Sequence, residues 1–277
     1  MVKNHMNLFF PQWQGAGRNK ILLTGAQEIK EKYLENYHLS EIEVDDEEID
    51  EIVNDILGYS KILTQLKNAS LMVSAEEPES IFTIGGGCDV EIVPVSYLNK
   101  KFKGDMTVLW IDAHGDLNTP ESSPSKNFHG MPLRTLLGDG DSKIAEILFS
   151  QLLPSQIVLI GQRSLDEPER KYIEERKINQ MSIEEIVNNI EHVISIIKTK
   201  NSNNIYIHID LDVLDMNEFP YVMVPEPNGL ESQLLFELLT QLKENFNIVG
   251  LSLLEYIPSD EKNIKILSDI IQLGLNL

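Results

Sequence analysis

Two rhythms of apolar and polar positions alternate along the chain. Stretches that are apolar almost throughout, at Leu8–Phe10, Ser80–Ile84, Val108–Ile111, Gln156–Gly161, Ile205–Ile209 and Asn247–Leu254, predict strands buried on both faces. Between them, apolar residues recur three and four positions apart. That spacing predicts helices over Ala26–Leu34, Glu47–Lys67 with a break near Gly58, Val90–Leu98, Met131–Leu137 and Lys143–Leu152. A polar helix follows Glu169 to about Arg176, and others are predicted over Ile183–Ile197, Ser232–Leu242 and from Asp260 to about Leu273. Strands alternating with helices imply an α/β fold in which a mainly parallel central sheet is covered on both faces. No Pro-, Gly- or Ser-rich linker interrupts the 277 residues, so a single domain is expected.

The polar residues that interrupt this pattern gather where strands end. Val108–Ile111 stops at Asp112, His114 and Asp116, which occupy alternate positions. In an extended backbone such residues point to one side, so the three side chains can converge on one point. A second strand ends similarly, with Ile205–Ile209 running into Asp210 and Asp212. Carboxylates joined by an imidazole suit Mn²⁺, Zn²⁺ or Fe²⁺ better than Ca²⁺ or Mg²⁺, which prefer all-oxygen shells. Ser80–Ile84 leads into Gly85, Gly86, Gly87, Cys88 and Asp89, a tight turn that brings backbone close to a ligand but lacks the Lys-Ser/Thr ending of a phosphate loop. Pro11–Gly17 is a second turn-rich loop able to approach a ligand. Cys88, Asp112, Asp166, Asp210 and Glu255 all fall at or after the C-terminal ends of predicted strands, where open α/β sheets bind ligands. His208 reads as a packing residue of its strand, and His5, His38 and His192 join no motif.

Charge narrows the range of partners. With 44 acidic against 23 basic side chains, the formal charge of −21 argues against nucleic acid or an anionic membrane and permits a cationic small molecule. Much of the excess lies in Glu41–Glu51, which reads as the solvated start of a helix. No apolar run approaches the roughly 20 residues that span a bilayer, and the first five residues lead into no signal-type segment. A single cysteine, Cys88, cannot form an intramolecular disulfide, which fits a reducing compartment; a cytoplasmic protein is expected.

The two aspartate motifs, each closing a strand, resemble the paired-aspartate signatures of the ureohydrolases, the arginase, agmatinase and formiminoglutamase family. The likeness extends to Asn118, Ser125, Asn127, His129 and Gly130 at the arginase spacing, and runs from about Ile81 to Pro258. It implies a three-layer α/β/α sandwich and a pair of Mn²⁺ ions. Asp112 and Asp210 would bridge the ions, His114 and Asp212 would complete the second site, and Asp116 with residue 88 the first. Bridging anions are needed because two dications a few ångströms apart repel strongly. The family carries histidine where this chain has Cys88. A thiolate there weakens a Mn²⁺ site or shifts preference toward Zn²⁺, Fe²⁺ or Co²⁺; an inert buried cysteine is the alternative.

The resemblance further implies catalytic roles. The ions lower the pKa of a shared water, Asp116 accepts its hydrogen bond, His129 carries a proton to the leaving amine, and Glu255 pairs with the guanidinium. His129 as a loop anchor and Glu255 as a strand-end charge are the plainer readings. Asn118, Ser125 and Asn127 match positions that bind an α-carboxylate, and Asp166 and Glu169 those that serve an α-amino group. Two departures cut against that substrate choice: Val224 stands for a family threonine and Ser252 for an aspartate. The expected activity is hydrolysis of L-arginine or a related guanidino amino acid to urea and an amine, in a homo-oligomer. Agmatine or formiminoglutamate specificity, or a binding or regulatory protein of the same fold, are the alternatives.

Overall fold

The computed structural model describes residues 4–277. Its strands are β1 (His5–Phe10), β2 (Ser40–Glu41), β3 (Ile52–Val53), β4 (Ile56–Leu57), β5 (Ser80–Gly85), β6 (Thr107–Ile111), β7 (Ile157–Ile160), β8 (Asn179–Met181), β9 (Asn204–Ile209) and β10 (Asn247–Leu253). The helices are α1 (Ile21–Tyr33), α2 (Tyr59–Glu76), α3 (Ile92–Lys101), α4 (Pro132–Leu136), α5 (Ser142–Ala145), α6 (Glu167–Arg176), α7 (Ile183–Asn188), α8 (Ile190–Lys198), α9 (Ser232–Asn245) and α10 (Lys265–Gly274). Eight strands form one sheet in the order β2-β1-β5-β10-β9-β6-β7-β8, and every pairing in it is parallel.

Alternation along each strand divides the core in two. Leu109, Ile111, Ile205, Ile207 and Ile209 face the layer that holds α1, α8, α9 and α10. Val108, Trp110, Ile157, Leu159 and Tyr206 face the layer of α2, α3, α4 and α6. Both faces are therefore apolar, which is why these strands read as continuous runs. The three-layer α/β/α arrangement follows. Strands β5, β10, β9 and β6 are consecutive in the sheet, so the residues just beyond their C-terminal ends, from Cys88, Glu255, Asp210 and Asp112, meet along one edge.

Several predicted elements differ in extent. Residues 47–58 are not helical: Asn54 and Asp55 both take positive φ, 52° and 59°, and turn β3 back on β4 as a hairpin. Consecutive left-handed residues suit a tight hairpin turn, and Asn and Asp tolerate them. Gly58, also left-handed, precedes α2, which is the true helix of this region. The acidic run is thus no helix start; it is pinned by buried Ile42 and Ile49. Helix α5 is a single turn capped by Asp141 rather than a helix to Leu152. Asn189, in extended geometry, splits the predicted Ile183–Ile197 helix and caps its second half. The final helix starts at Lys265 rather than Asp260. The short edge strands β2 and β8 carry no apolar run by which to predict them.

Helix α1 lies so close to the chain after β10 that a Cβ on Gly25 would sit 2.0 Å from the Tyr256 carbonyl oxygen. Alanine favours a helix over glycine by about 1 kcal/mol, whereas forcing an atom against fixed backbone costs roughly 1–3 kcal/mol or more. Gly25→Ala is therefore expected to lower the urea midpoint of unfolding. A raised midpoint would mean that the contact is loose.

Candidate metal centre

Side chains from four strand ends meet in a cavity of about 340 Å³. Asp112, His114 and Asp212 bring ligand atoms within 4.8 Å of one another, as do Cys88, Asp112, Asp116 and His208, and also Cys88, Asp210 and Glu255. Asp112 belongs to two of these groups and so lies between them. His114 Nδ1 is 2.8 Å from Asp212 Oδ2, and its Nε2 is 3.6 Å from Glu226. Backbone amides aim the carboxylates: Asp112 Oδ1 accepts from His114 N at 2.6 Å, Asp212 Oδ1 from Ala113 N at 3.0 Å and Asp210 Oδ1 from Asp212 N at 2.8 Å. Asp210 Oδ2 faces Cys88 Sγ at 3.2 Å.

Backbone strain accompanies this geometry. Asp116 and Glu255 hold φ of 53° and 63°, a left-handed conformation costing about 1–2 kcal/mol per residue. Such strain persists only where surrounding structure enforces it, and it concentrates at functional sites.

The electrostatics show what this cluster lacks. Burial, with neighbouring carboxylates adding to it, pushes the Asp116 and Asp210 carboxyls well above their usual range, and Asp212 up to about 6. Asp112 is held low although burial opposes it, because His114 and His208 bond to it. His114 is raised against its burial by Asp112 and Asp212, and His129 against its own by Glu255. Burial and the surrounding carboxylates push the Cys88 thiol well above its usual range, and burial lifts Asp89 to about 7. Four buried aspartates in one space cannot all ionise without compensating cations. Asp116 Oδ2 and Glu255 Oε2 are buried with no hydrogen-bond partner among the described residues. Oxygen-rich donor groups with one imidazole or thiol, and oxygens left unsatisfied, fit divalent metal ions.

Beyond these groups, His129 Nδ1 lies 3.0 Å from Glu255 Oε1, which also accepts from Cys88 N at 3.1 Å. Asn118, Ser125, Asn127, Asp166 and Glu169 all line the same cavity. They are not equally free. Asn118 Nδ2 donates to Asp166 Oδ2 at 2.8 Å, while both Glu169 oxygens accept from backbone, Leu117 N at 2.9 Å and Asp166 N at 2.8 Å. Glu169 thus closes the capping box of α6.

The structure also gathers residues that carried no role in the sequence. Arg163 Nη2 donates to the carbonyls of Asp212, Leu214 and Glu226, tying the loop after β9 to the site. His208 packs in its strand as expected, stacked on Trp110 with ring centroids 3.6 Å apart, but its Nε2 faces the ligand cluster. The signal was present: His208, Asp210 and Asp212 sit at alternate positions, the spacing already used to group Asp112, His114 and Asp116.

The sequence matches the model of the arginase family over residues 19–270. The chain belongs to the arginase family. It is 34% identical to the arginase of Staphylococcus aureus (strain MRSA252), over 79% of this chain and 75% of that one. With the arginase of Bacillus subtilis (strain 168) it shares 35% identity, over 70% of this chain and 66% of that one. The solved Entamoeba histolytica arginase, a complex with L-ornithine, superposes with a TM-score of 0.88 at 22% identity over the whole of both chains. The Bacillus caldovelox arginase gives 0.81 at 24%, covering 99% and 97%. As an arginase-family hydrolase the protein acts on guanidino carbon–nitrogen bonds.

Within this arginase-family site, Glu169→Gln leaves one backbone N–H facing an amide rather than an oxygen. A buried donor without its acceptor costs about 1–3 kcal/mol. The variant should unfold at a lower denaturant concentration; unchanged stability with weaker substrate binding would instead make Glu169 a substrate contact.

Proposed function

We propose that this cavity hydrolyses L-arginine, or a closely related guanidino amino acid, to urea and the corresponding amine, and that Asp112, His114, Asp116, Asp210, Asp212 and position 88 hold the metal ions the reaction needs. Bound divalent ions would supply a water of lowered pKa as the nucleophile. The observation that carries the reading is Glu255: a buried carboxylate with one oxygen engaged by Cys88 N and His129 and the other, Oε2, without a partner in the same cavity as the aspartate clusters. A planar guanidinium offers donors that match such an oxygen.

The chain's own groups divide the work. Glu255 orients the guanidinium so that its carbon faces Asp116, whose unpartnered Oδ2 accepts the proton side of the attacking water. His129, which hydrogen-bonds to Glu255 and whose pKa that carboxylate raises against its burial, gives a proton to the departing amine nitrogen and prevents its re-addition. At the rim, Asn118, Ser125 and Asn127 offer donors to a carboxylate, and Asp166 an acceptor to an ammonium. Agmatine has no carboxylate for them. Relatives that share a third of the sequence are arginases, and the Entamoeba relative binds L-ornithine; both support the amino-acid reading. Exposed Val224 lines the cavity and offers no hydrogen bond, so the ammonium depends on Asp166.

Purified protein supplied with Mn²⁺ should release urea from arginine and much less from agmatine or guanidinobutyrate, should release little formamide from formiminoglutamate, and chelation should abolish the turnover. Turnover of agmatine alone would remove the carboxylate assignments. Glu255→Gln should cost roughly 2–5 kcal/mol in kcat/KM, because it strips a guanidinium of its charged partner, with metal content unchanged. Parallel loss of metal and activity would make Glu255 a metal ligand.

A further inference from the structure

An imidazole from a different strand, that of His208, lies within 4.8 Å of Cys88, Asp112 and Asp116. We propose that His208, oriented by Glu91, is a ligand of the first metal site together with the Cys88 thiolate, and that this site takes a borderline-soft dication such as Zn²⁺ or Co²⁺ in preference to Mn²⁺. The inference rests on the metal-dependent reading above, and its readouts are independent of turnover.

Three observations fix the ring. In the sheet His208 pairs in register with Trp110, and the two rings stack with centroids 3.6 Å apart and planes 17° from parallel. Nδ1 lies 2.9 Å from Glu91 Oε1, and the other Glu91 oxygen accepts the Tyr206 hydroxyl. A carboxylate on Nδ1 takes the ring proton there and leaves the Nε2 lone pair free, the arrangement that metal-binding histidines share. All four side chains, Glu91, Trp110, Tyr206 and His208, are buried, so the imidazole cannot swing away to solvent.

Nε2 then points at two atoms able to bind a metal. It is 3.7 Å from Cys88 Sγ and 3.6 Å from Asp112 Oδ2. Tetrahedral ligands on one ion, with bonds of about 2.3 Å to sulfur and 2.0–2.1 Å to nitrogen or oxygen, stand about 3.6 Å apart for N and S and about 3.4 Å for N and O. Asp116 completes the group within 4.8 Å, and its buried Oδ2 has no partner.

Two of the positions at which the sequence departs from the family pattern also touch this ring. Cys88 replaces the family histidine and faces Nε2; Ser252 replaces an aspartate and its Oγ is 3.5 Å from Nδ1. An imidazole entering from β9 supplies the nitrogen ligand that position 88 has given up. A nitrogen and a sulfur among carboxylates favour Zn²⁺ or Co²⁺ over Mn²⁺. The other group, Asp112, His114 and Asp212, contains no sulfur and keeps the Mn²⁺ chemistry, so the two sites differ in kind.

The full chain, stripped of metal and titrated with Co²⁺, separates the outcomes. Wild type should bind two ions per chain, one of them showing a thiolate-to-cobalt charge-transfer band, and X-ray absorption on the Zn²⁺-loaded form should find sulfur near 2.3 Å and imidazole nitrogen near 2.0–2.1 Å. Cys88→Ala should lose the band, and His208→Ala should lose one ion while the other stays. Glu91→Gln should weaken the first site about 10- to 100-fold without changing the count. Retention of both ions at wild-type affinity in His208→Ala overturns the proposal. Should that variant fail to fold, the wild-type absorption spectrum still decides: a first site with no sulfur ligand overturns it too. Failure of urea release with these metal results intact would count against the arginine reading alone.

Discussion

Crowded negative charge is the constraint from which the rest of this molecule follows. Asp112, Asp116, Asp210 and Asp212 are buried together, where each ionised carboxylate raises the cost of ionising the next. A domain does not keep such a cluster for stability, since removing charge from water is costly unless opposite charge repays it. Everything around the cluster prepares it for cations. Backbone amides orient the oxygens, His114 and His208 approach different oxygens of Asp112, and Asp116 and Glu255 accept left-handed backbone to aim inward.

The parallel sheet makes the crowding attainable. Four neighbouring strands all end at one edge, and each contributes side chains at or just after its last paired residue. The loops that carry them are pressed together: a Cβ on Gly86 would lie 1.8 Å from the Gln12 carbonyl oxygen, so only glycine lets the β1 and β5 loops close over the site. Arg163 and the Glu169 capping box do the same for the loops after β9 and before α6. Binding groups therefore rest on rigid elements, and the cavity's shape is set by backbone contacts rather than by the ligand.

Much of this was legible in the chain. Alternate Asp and His residues at the ends of apolar runs located the cluster, because strand geometry translates spacing of two directly into a shared face. Where strand pairing or tight turns decide, one sequence is silent. The Asn54–Asp55 hairpin was hidden inside an apolar spacing that also suits a helix, and left-handed φ at two adjacent residues is what chose between them. His208 reads as packing along the chain, which is half of its surroundings; its partners come from the turn after β5, Cys88 and Glu91, and from β6, Trp110, and no spacing around His208 itself brings them together. Glu169 resembles a substrate residue by position; that its two oxygens also accept from the Leu117 and Asp166 amides is visible only in three dimensions.

The central claim is that this carboxylate cluster is a two-metal centre with unlike sites. Anomalous diffraction from crystals grown with Mn²⁺ and Zn²⁺, recorded at both absorption edges, tests it most directly. The account predicts a zinc peak among Cys88, His208, Asp112 and Asp116, and a manganese peak among Asp112, His114 and Asp212. Peaks for neither metal at the cluster, or a first-site ion that His208 does not approach, would contradict it.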